Sequence, residues 1–463
     1  MTPPADLLGA ARARGVPGDR VVLSAPAIPG GAGERPAVGE ASSGGGDPAL
    51  LALDALDALV DRRAATLRAQ GVQPGRIHPV VVEPDVDGVV TLLALWRVGA
   101  VPAPLNPRLT EPERAAATAA LARVAPGDAQ VVLWTSGTSG RPRGVALPWS
   151  ALSAHVDATV ARLGLDPSRD RWLASLSLAH VGGLMAVVRG ILTGSEVVAA
   201  GTVAPALLPH FINGTAGVEP VTHLSLVPTQ LRRVLDAVGE APPPSTLRCV
   251  LLGGAHTPRP LLERAHAAGW PVALTYGMTE MSSQVATATP AECRAKPGSV
   301  GKLLPGVELR VGADGQLLVR GATLASAYLD GNPLADADGW YATGDLGWVD
   351  DEGDVWITGR VGDRIISGGV NVDPAEVEEA LRLHPAVADA CVVGVSDPEW
   401  GEAVAVWVVP VAGEFDLDQV QEWLRDRLAG PKRPRVWTLG GALPINANGK
   451  VDRQAVRRAL SGP

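Results

Sequence analysis

The segment 135–144, TSGTSGRPRG, combines glycines, hydroxyls and two arginines directly after the apolar run VVLW. Glycines allow backbone N–H groups to converge on an anion, and hydroxyls add further donors. A Ser/Gly-rich surface turn would have a similar composition, but the preceding strand and the arginines Arg141 and Arg143 favour phosphate binding. It is not a Walker A loop, because GxxxxGK[ST] is absent.

A second segment, TYGMTE at 275–280, also follows an apolar run. Tyr276 offers a flat ring for stacking, and Glu280 offers a hard oxygen ligand suited to Mg²⁺. A solvated glutamate is the competing interpretation. The segment supports a nucleotide and Mg²⁺ site only in combination with the other motifs.

Asp345, in YATGD, is suited to bind two vicinal ribose hydroxyls through its carboxylate. A simple turn aspartate is the alternative. Arg360 is the second residue of the segment GRVGDRIISGG, residues 359–369. In this segment, Gly362 and Asp363 are candidate hinge positions, and Gly368–Gly369 would permit close approach of a ligand. A plain interdomain linker would explain the same residues.

Lys450 closes the segment PINANGK and is one of four lysines, at 296, 302, 432 and 450, in a chain whose other cations are arginines. A lysine on an exposed turn is usually only solubilising. In this arginine-rich composition, the lysine favours a specific contact between a compact charge and a reacting phosphate.

These segments need a scaffold of alternating strands and helices. Residues 49–71 predict a helix that ends at Gly71, followed by a strand (HPVVVEP), a helix (DGVVTLLALWRVGA) and an extended stretch (VPAPLNP). Further strands are predicted at AQVVLW, SEVVAAG, THLSLVP, RCVLLGG and PVALTYG. In a parallel α/β sheet, ligands bind at the carboxyl ends of strands, so the glycine-bearing loops after VVLW, CVLL and VALT are the expected site.

The pattern changes after residue 305. Two hairpins are predicted, at VELRVGADGQLLVRG and GWVDDEGDVWITGR, followed by an α+β module that includes a helix with Pro374 in its first turn. We therefore predict an α/β protein with a large N-terminal domain of αβ layers with a β-rich end, residues 1–359, and a small α+β C-terminal domain, residues 360–463.

Composition excludes several classes of function. A formal net charge of −9 argues against a nucleic-acid binder. The three cysteines, Cys249, Cys293 and Cys391, are too far apart in sequence for a CxxC site. No apolar run is long enough for a signal peptide or a membrane span, so we expect a cytoplasmic protein without a membrane partner; a homodimer is compatible with the sequence.

Taken together and in this order, the motifs resemble the acyl-adenylate-forming superfamily of acyl-CoA ligases, luciferases and nonribosomal adenylation domains. The resemblance runs from GAVPAPLNPRLT to Lys450. It implies a large domain and a mobile small one, with ATP, Mg²⁺ and CoA as cofactor and co-substrates. A carboxylate would attack the α-phosphate of MgATP, and the acyl-AMP would then be transferred to the thiol of CoA.

The resemblance also implies roles for individual residues. Thr279 would contact the α-phosphate, Glu280 the Mg²⁺, and Lys450 both the carboxylate and the α-phosphate. His180 would gate or line the acyl pocket at the end of a strand. The implied ATP-binding residues are Thr135, Ser136, Gly137, Thr138, Ser139, Gly140, Arg143, Gly253, Gly254, Ala255, Tyr276, Asp345 and Arg360.

The small domain would rotate after adenylation and bring the loop of Ser367, Gly368 and Gly369 toward the CoA thiol. Two positions depart from the family pattern: Ser139 stands where threonine is usual, and Arg143 where lysine is usual. The hinge residue is either Gly362 or Asp363.

The segments around His180 and Glu280 are similar in particular to the o-succinylbenzoate–CoA ligase subfamily of menaquinone biosynthesis. Its substrate has a spectator carboxylate, for which Arg189, Ser283 and Gln284 are the candidate ligands. Arg189 could equally be a surface salt-bridge partner, and His180 a satisfied core histidine. Amino acids are disfavoured, because the aspartate that pairs with a substrate amine is absent.

An AMP-forming acid–CoA ligase is therefore predicted. The alternatives are a ligase for another aryl or medium-chain acid, a CoA-independent enzyme that loads a carrier protein, and a catalytically silent binding protein. Retention of Asp345, Glu280 and Lys450 argues against the last of these.

Overall fold

The computed structural model describes residues 6–25, 49–121, 124–135, 143–214, 219–411, 415–446 and 450–461. The predicted phosphate-binding residues Ser136, Gly137, Thr138, Ser139 and Gly140 lie outside these ranges. Within them, no helix is both long and apolar enough to cross a membrane.

The helices are α1 (Leu7–Ala13), α2 (Leu53–Ala69), α3 (Val86–Val98), α4 (Glu111–Leu121), α5 (Trp149–Leu163), α6 (Val181–Thr193), α7 (Leu208–Asn213), α8 (Pro228–Val238), α9 (Arg259–Ala267), α10 (Pro290–Ala295), α11 (Pro374–Arg382), α12 (Leu417–Arg425) and α13 (Arg453–Leu460). Short 3₁₀ turns occur at Pro205–Leu207, Thr279–Met281, Val361–Asp363 and Gly430–Lys432.

The strands of the N-terminal part are β1 (Val21–Ala25), β2 (Ala49–Ala52), β3 (Ile77–Val81), β4 (Val101–Leu105), β5 (Ala129–Thr135), β6 (Arg143–Pro148), β7 (Arg171–Leu173), β8 (Glu196–Val198), β9 (His223–Leu226), β10 (Cys249–Leu252), β11 (Val272–Met278), β12 (Ser283–Thr287), β13 (Lys302–Leu303), β14 (Val307–Val311), β15 (Gln316–Gly321), β16 (Ala327–Tyr328), β17 (Tyr341–Val349) and β18 (Val355–Arg360). Those that follow are β19 (Ile365–Ser367), β20 (Val370–Val372), β21 (Val387–Asp397), β22 (Gly401–Pro410) and β23 (Val436–Leu439).

The main sheet has the order β13-β12-β11-β10-β9-β7-β8-β1-β2. Its centre, from β1 to β11, is parallel, and antiparallel strands close both edges. Because β10 and β11 are parallel neighbours, the loops after CVLL and VALT meet at one edge, as predicted. Fully buried residues of α3, α5 and α6 pack into the apolar core beside this sheet.

Two local predictions were wrong. Residues 49–52 form β2 rather than the start of the helix, because Leu51 pairs with Leu23 on β1 and the helix begins only at Leu53. The strand VVLW, now β5, pairs with β6 in a separate antiparallel sheet of order β16-β6-β5, so the rule for parallel strand ends does not apply to it.

The C-terminal module, defined here as β19–β23 with α11–α13, is built on the sheet β20-β19-β22-β21, with β23 beside β22. Alternate residues of β21 face opposite sides. Ala390 and Val392 pack with α11 and α12, whereas Cys391 and Val393 pack with α13. The sheet is therefore covered on both faces and has apolar cores that are separate from those of the N-terminal part.

A buried ion-pair network ties α11 to α13 through this sheet. Glu378 is 2% exposed and accepts hydrogen bonds from Arg453 Nη1 at 2.6 Å, Arg453 Nη2 at 3.1 Å and the Val392 amide at 2.9 Å. Burial opposes its ionisation, but Arg453 and Arg382 outweigh it, so the pKa of Glu378 lies below its ordinary value. The carboxylate therefore stabilises the module above that ordinary pKa, and its contribution fades as pH falls through the lowered one.

Substitution Glu378→Gln should destabilise the C-terminal module by about 2–4 kcal/mol at neutral pH, because it removes a buried carboxylate that pairs with Arg382 and with the partly exposed Arg453. Hydrogen exchange of the β21 and β22 amides in increasing urea measures this loss. Glu376→Gln is the matched control on the same helix. It breaks a pair with Lys432 at the surface and should cost at most about 1 kcal/mol. Equal losses for both variants would contradict the role assigned to Glu378.

Candidate active site

Asp345 lies at the junction of the two parts of the chain and is 9% exposed. Its Oδ2 accepts a hydrogen bond from the Tyr276 hydroxyl at 2.8 Å, and its Oδ1 lies 2.6 Å from Arg360 Nε. Asp345 and Arg360 are cross-strand neighbours in the β17–β18 ladder, which fixes their proximity. Burial raises the pKa of Asp345, while Arg360 and Tyr276 oppose that rise. The structure thus joins three residues that the sequence analysis assigned to nucleotide binding.

Glu280 is 8% exposed, so the interpretation as a solvated glutamate is wrong. Its Oε1 accepts a hydrogen bond from the Tyr328 hydroxyl at 3.0 Å, and that hydroxyl lies 3.1 Å from the Tyr341 hydroxyl. Among the described residues, its second oxygen has no hydrogen-bond partner. Thr279 begins the 3₁₀ turn that carries Glu280 away from the end of β11.

Lys450 lies in the cleft between the C-terminal module and the strand ends of the main sheet. Its Cε is 3.8 Å from the position of a Cβ on Gly254. The side chain keeps exposed area, yet surrounding protein desolvates it, and this burial together with Arg360 lowers the pKa of Lys450. The other three lysines contact carboxylates, whereas Lys450 has none within 4 Å among the described residues.

Two glycines near Lys450, at the end of β10, are favoured by the local backbone rather than by the approach of the lysine. A side chain at Gly253 would meet Thr275 Cγ2 at 2.7 Å, and Gly254 has a φ of +79° in the left-handed region. The neighbouring Ala255 is exposed. These three residues therefore form a low rim at the end of β10.

Two contacts fix the Arg143 side chain, which is 31% exposed. Its Nε donates to Asp330 Oδ2 at 3.0 Å, and its guanidinium lies 3.4 Å from the centre of the Tyr328 ring. Thr135 Oγ1 lies 3.4 Å from the Arg143 carbonyl across the β5–β6 ladder. The two ends of the predicted phosphate loop are thus adjacent and lie near the partner of Glu280.

His180 was expected at the end of a strand, but β7 ends at Leu173 and His180 is the N-cap of α6. The segment before it packs closely on the first turn of α6, where a side chain at Gly183 would meet the Ser177 carbonyl oxygen at 2.3 Å. Its Nε2 lies 3.4 Å from Asn106 Nδ2. Burial, with Lys450 and Arg108 nearby, lowers the pKa of His180 to about 4, so its ring is neutral at pH 7.

Arg189 is a buried cation, not the surface salt-bridge partner that the sequence left open. It is 4% exposed, and its guanidinium forms no hydrogen bond or ion pair with any described residue. Its guanidinium lies 3.9 Å from the centre of the Trp172 ring, which stacks on His223 at 4.9 Å. Burial lowers the pKa of Arg189 only to about 10, so the charge persists at neutral pH.

Three titratable groups that interact with Arg189 are uncharged at neutral pH. Burial raises the pKa of Cys249 to about 12 and lowers the pKa values of His155 and His223 to about 3. A buried charge without a counterion is unfavourable by several kcal/mol. The arrangement therefore has an electrostatic preference for an anion at Arg189.

Gln284 shares a neighbour with Arg189. Its main-chain N–H donates to His155 Nε2 at 2.9 Å. Its side-chain Oε1 accepts from Thr159 at 3.0 Å, and its side-chain Nε2 donates to Thr287 at 2.8 Å. The side chain is thus engaged within the protein, and its contact with substrate stays a prediction. Ser283, with a φ of +123°, is strained backbone of the kind that clusters at functional sites.

The predicted CoA-side loop lies apart from this cluster. The Gly368 amide donates to the Trp400 carbonyl at 2.9 Å, and Ser367 is paired with Gly401. Gly369 has a φ of +78° and open space around it. The structure therefore brings Lys450, not this loop, toward Asp345 and Gly254.

Comparisons with known proteins give this geometry a family. A model described as "AMP-binding enzyme" matches residues 33–122 and 117–329, and one described as "AMP-binding enzyme C-terminal domain" matches residues 376–450. This chain belongs to the AMP-binding enzyme family. The chain is 34% identical to the 2-succinylbenzoate–CoA ligase of a Bacillus cereus strain, over 84% of this chain and 89% of the relative. It is 37% identical to the enzyme of the same name from Bacillus mycoides, over 72% and 70%.

Solved structures of AMP-binding enzymes agree with the fold. The o-succinylbenzoate CoA synthetase from Bacillus subtilis, in complex with its acyl-adenylate intermediate, superposes with a TM-score of 0.85 at 27% identity and covers 100% of this chain and 98% of that one. An amide bond synthetase from Marinactinospora thermotolerans superposes with a TM-score of 0.82 at 26% identity, over 98% and 100%. The overall fold is thus shared by proteins named for different acyl acceptors.

Sequence reasoning missed the partners that hold the predicted residues. Tyr328 and Tyr341 support Glu280, Asp330 pairs with Arg143, and Trp172 stacks on Arg189. One signal was present: the chain has only three tyrosines, and all three hydroxyls lie on Asp345, Glu280 or each other. Trp172 left no comparable signal.

Substitution Tyr276→Phe should raise the pKa of Asp345, because it removes a hydrogen bond to the charged carboxylate. Since the family binds AMP, we expect AMP affinity to fall off at a pH about one unit higher than in the unsubstituted protein. Calorimetric titration with AMP between pH 4 and pH 8 measures the shift. Tyr341→Phe is the control, because it removes a hydroxyl that contacts Tyr328 and not Asp345, so the pH dependence of AMP affinity should not change. Matching shifts in both variants would refute the specific role of Tyr276.

Proposed function

We propose that this chain is an ATP-dependent o-succinylbenzoate–CoA ligase of menaquinone biosynthesis. One observation carries the choice of acid: the buried Arg189, charged at neutral pH and without a carboxylate partner among the described residues. The substrate is a dicarboxylate of which only the succinyl end reacts. Its spectator benzoate would neutralise Arg189, and the names of the relatives at 34–37% identity support the same acid.

The residues of the cleft suit the first half-reaction. A carboxylate oxygen of the acid forms a bond to the α-phosphorus of ATP, and the bond to pyrophosphate breaks. Lys450 supplies positive charge where two anions must approach, and Asp345 with Arg360 holds the ribose. Lys450 is suited to this because no carboxylate neutralises it within 4 Å among the described residues.

Glu280 fits one position of a magnesium site. Tyr328 holds one of its oxygens, and the other has no hydrogen-bond partner among the described residues. No cluster of three or more His, Cys, Asp or Glu side chains that could bind a metal occurs in the described ranges, so the remaining ligands would be phosphate and water, as Mg²⁺ prefers. When bound, the ion would neutralise phosphate charge.

In the second half-reaction, the CoA sulfur forms a bond to the acyl carbon and AMP leaves with the bonding electrons. The loop Ser367–Gly369 would approach the adenylate after rotation of residues 360–463 about Gly362 or Asp363. Both hinge candidates lie in the 3₁₀ turn Val361–Asp363, just after β18. ATP and CoA are cytoplasmic metabolites, which supports a cytoplasmic location for this chain.

The direct test is pyrophosphate release from MgATP with a panel of carboxylic acids, with and without CoA. We expect turnover with o-succinylbenzoate that stalls after one equivalent of pyrophosphate unless CoA is present. Multiple turnovers without CoA would indicate another acceptor, and turnover only with other acids would overturn the substrate. Absence of release with every acid would support the catalytically silent alternative.

The role of Arg189 is tested with two acids that differ by one carboxylate. Arg189→Met should raise KM for o-succinylbenzoate by about 10- to 100-fold, because a charge-assisted contact is lost. KM for 4-oxo-4-phenylbutanoate, which lacks the ring carboxylate, should hardly change. Arg189→Lys keeps the charge and should fall between the two. Equal effects on both acids would show that Arg189 only supports the fold.

A further inference from the structure

One charged contact joins α8 of the N-terminal part to the C-terminal module. Arg232 Nη1 on α8 donates to Asp389 Oδ2 on β21 at 3.1 Å. The side chains are 34% and 19% exposed, so the pair is only partly screened by water. A weaker contact lies nearby, where His256 Nε2 is 3.5 Å from Glu379 Oε2 without forming a hydrogen bond.

Asp389 is also the outer end of the buried ion-pair network of the module. Its Oδ1 accepts from Arg382 Nε at 2.9 Å, and Arg382 donates to the Ala390 carbonyl at 2.6 Å. Arg382 and Arg453 flank the same carboxylate, that of Glu378. The hydrogen bonds thus run without interruption from Arg232 to the first residue of α13.

Lys450 lies three residues before Arg453, just ahead of α13. That helix is fixed at its start by Asp452, whose Oδ1 accepts from the Ala455 amide at 2.9 Å. The Asp452 amide donates to the Pro444 carbonyl at 2.8 Å, which closes the turn that contains Lys450. The position of Lys450 therefore follows the position of the whole module.

The interior of this network is strong and its outer contact is weak. Glu378 is buried and the Arg382 side chain is only 10% exposed, so they hold the module as one body. The Arg232–Asp389 pair is a partly exposed single contact of the kind that contributes little alone. Such a contact can bias the orientation of a rigid module without locking it.

We infer that Arg232 is a positioning residue for adenylation, because its ion pair with Asp389 favours the orientation in which Lys450 lies close to Asp345 and Gly254. The inference rests on the proposed function, since it assumes that Lys450 serves the adenylation step alone. Without the pair, fewer molecules hold Lys450 in place, while the orientation for thioester formation gains population. The two half-reactions should therefore respond differently.

The experiment measures both half-reactions of Arg232→Gln. Single-turnover pyrophosphate release from MgATP and o-succinylbenzoate should slow by about 2- to 5-fold. Thioester formation from supplied acyl-AMP and CoA should be unchanged or faster. Raising the salt concentration should slow adenylation by the unsubstituted protein toward the rate of the variant, which itself should respond less.

Arg264→Gln is the matched control. It removes the exposed pair between Arg264 and Asp236, which joins α9 to α8 without reaching the module. Both half-reactions should keep their rates. Arg232→Lys, which retains the charge, should recover most of the adenylation rate. An unchanged ratio of the two half-reactions in Arg232→Gln would overturn the inference, as would equal slowing of both.

A second readout does not depend on turnover. Spin labels on exposed positions, Ser245→Cys in the N-terminal part and Gln419→Cys on α12, report the orientation of the module by pulsed electron resonance. Arg232→Gln should broaden the distance distribution or add a second distance, and Arg264→Gln should not. An unchanged distribution would refute the inference even if the protein activated no acid. Inactivity of the unsubstituted protein would overturn the proposed function and the link to adenylation, and a changed distribution would then support only the orienting role of Arg232.

Discussion

Lys450 and Arg189, two cations that have no carboxylate partner in the described part of the chain, impose an electrostatic constraint on this fold. Desolvating a charge without pairing it is unfavourable, and a protein tolerates that only where something else compensates. The remaining lysines, at 296, 302 and 432, each contact a carboxylate. Under the proposed function, the missing negative charge at Lys450 and Arg189 would belong to a ligand. An acid with two carboxylates meets both requirements in one molecule.

The two cations are held by different means. Arg189 belongs to the main α/β core, where the flat ring of Trp172 supports its guanidinium and the neighbouring side chains stay neutral. Lys450 belongs to the module, so its place in the cleft depends on the orientation of a separate body with its own cores. If Lys450 serves only the proposed adenylation step, a rigid module is a suitable carrier for its charge, because only the outer contacts of the module would have to break.

Local sequence predicted the parts of the site that depend on short segments. The hairpin predicted over residues 347–360 forms as β17–β18, and the same ladder sets Asp345 opposite Arg360, a proximity that only the family resemblance implied. The loops after β10 and β11 meet at one edge, as predicted, because these strands are parallel neighbours. The environment of Arg189 was not predictable. Trp172 and Cys249 come from β7 and β10, and their proximity to α6 is a property of the assembled sheet rather than of any segment. Because Arg189 is buried, it is interpreted as a candidate ligand-binding cation and not as a surface residue.

The arginine at position 143, where lysine is usual in the family, has a physical explanation in its neighbours. A guanidinium is planar, so it can stack on Tyr328 and at the same time present its edge to Asp330. A lysine could do only one of these. Because Tyr328 also donates to Glu280, Arg143 supports the partner of the proposed magnesium ligand. If the phosphates of ATP draw Arg143 away from Asp330, the stack on Tyr328 can persist, since stacking and edge contacts use different faces of the same group. The substitution therefore preserves the positive charge beside the loop and adds a link to Glu280 that lysine would not provide.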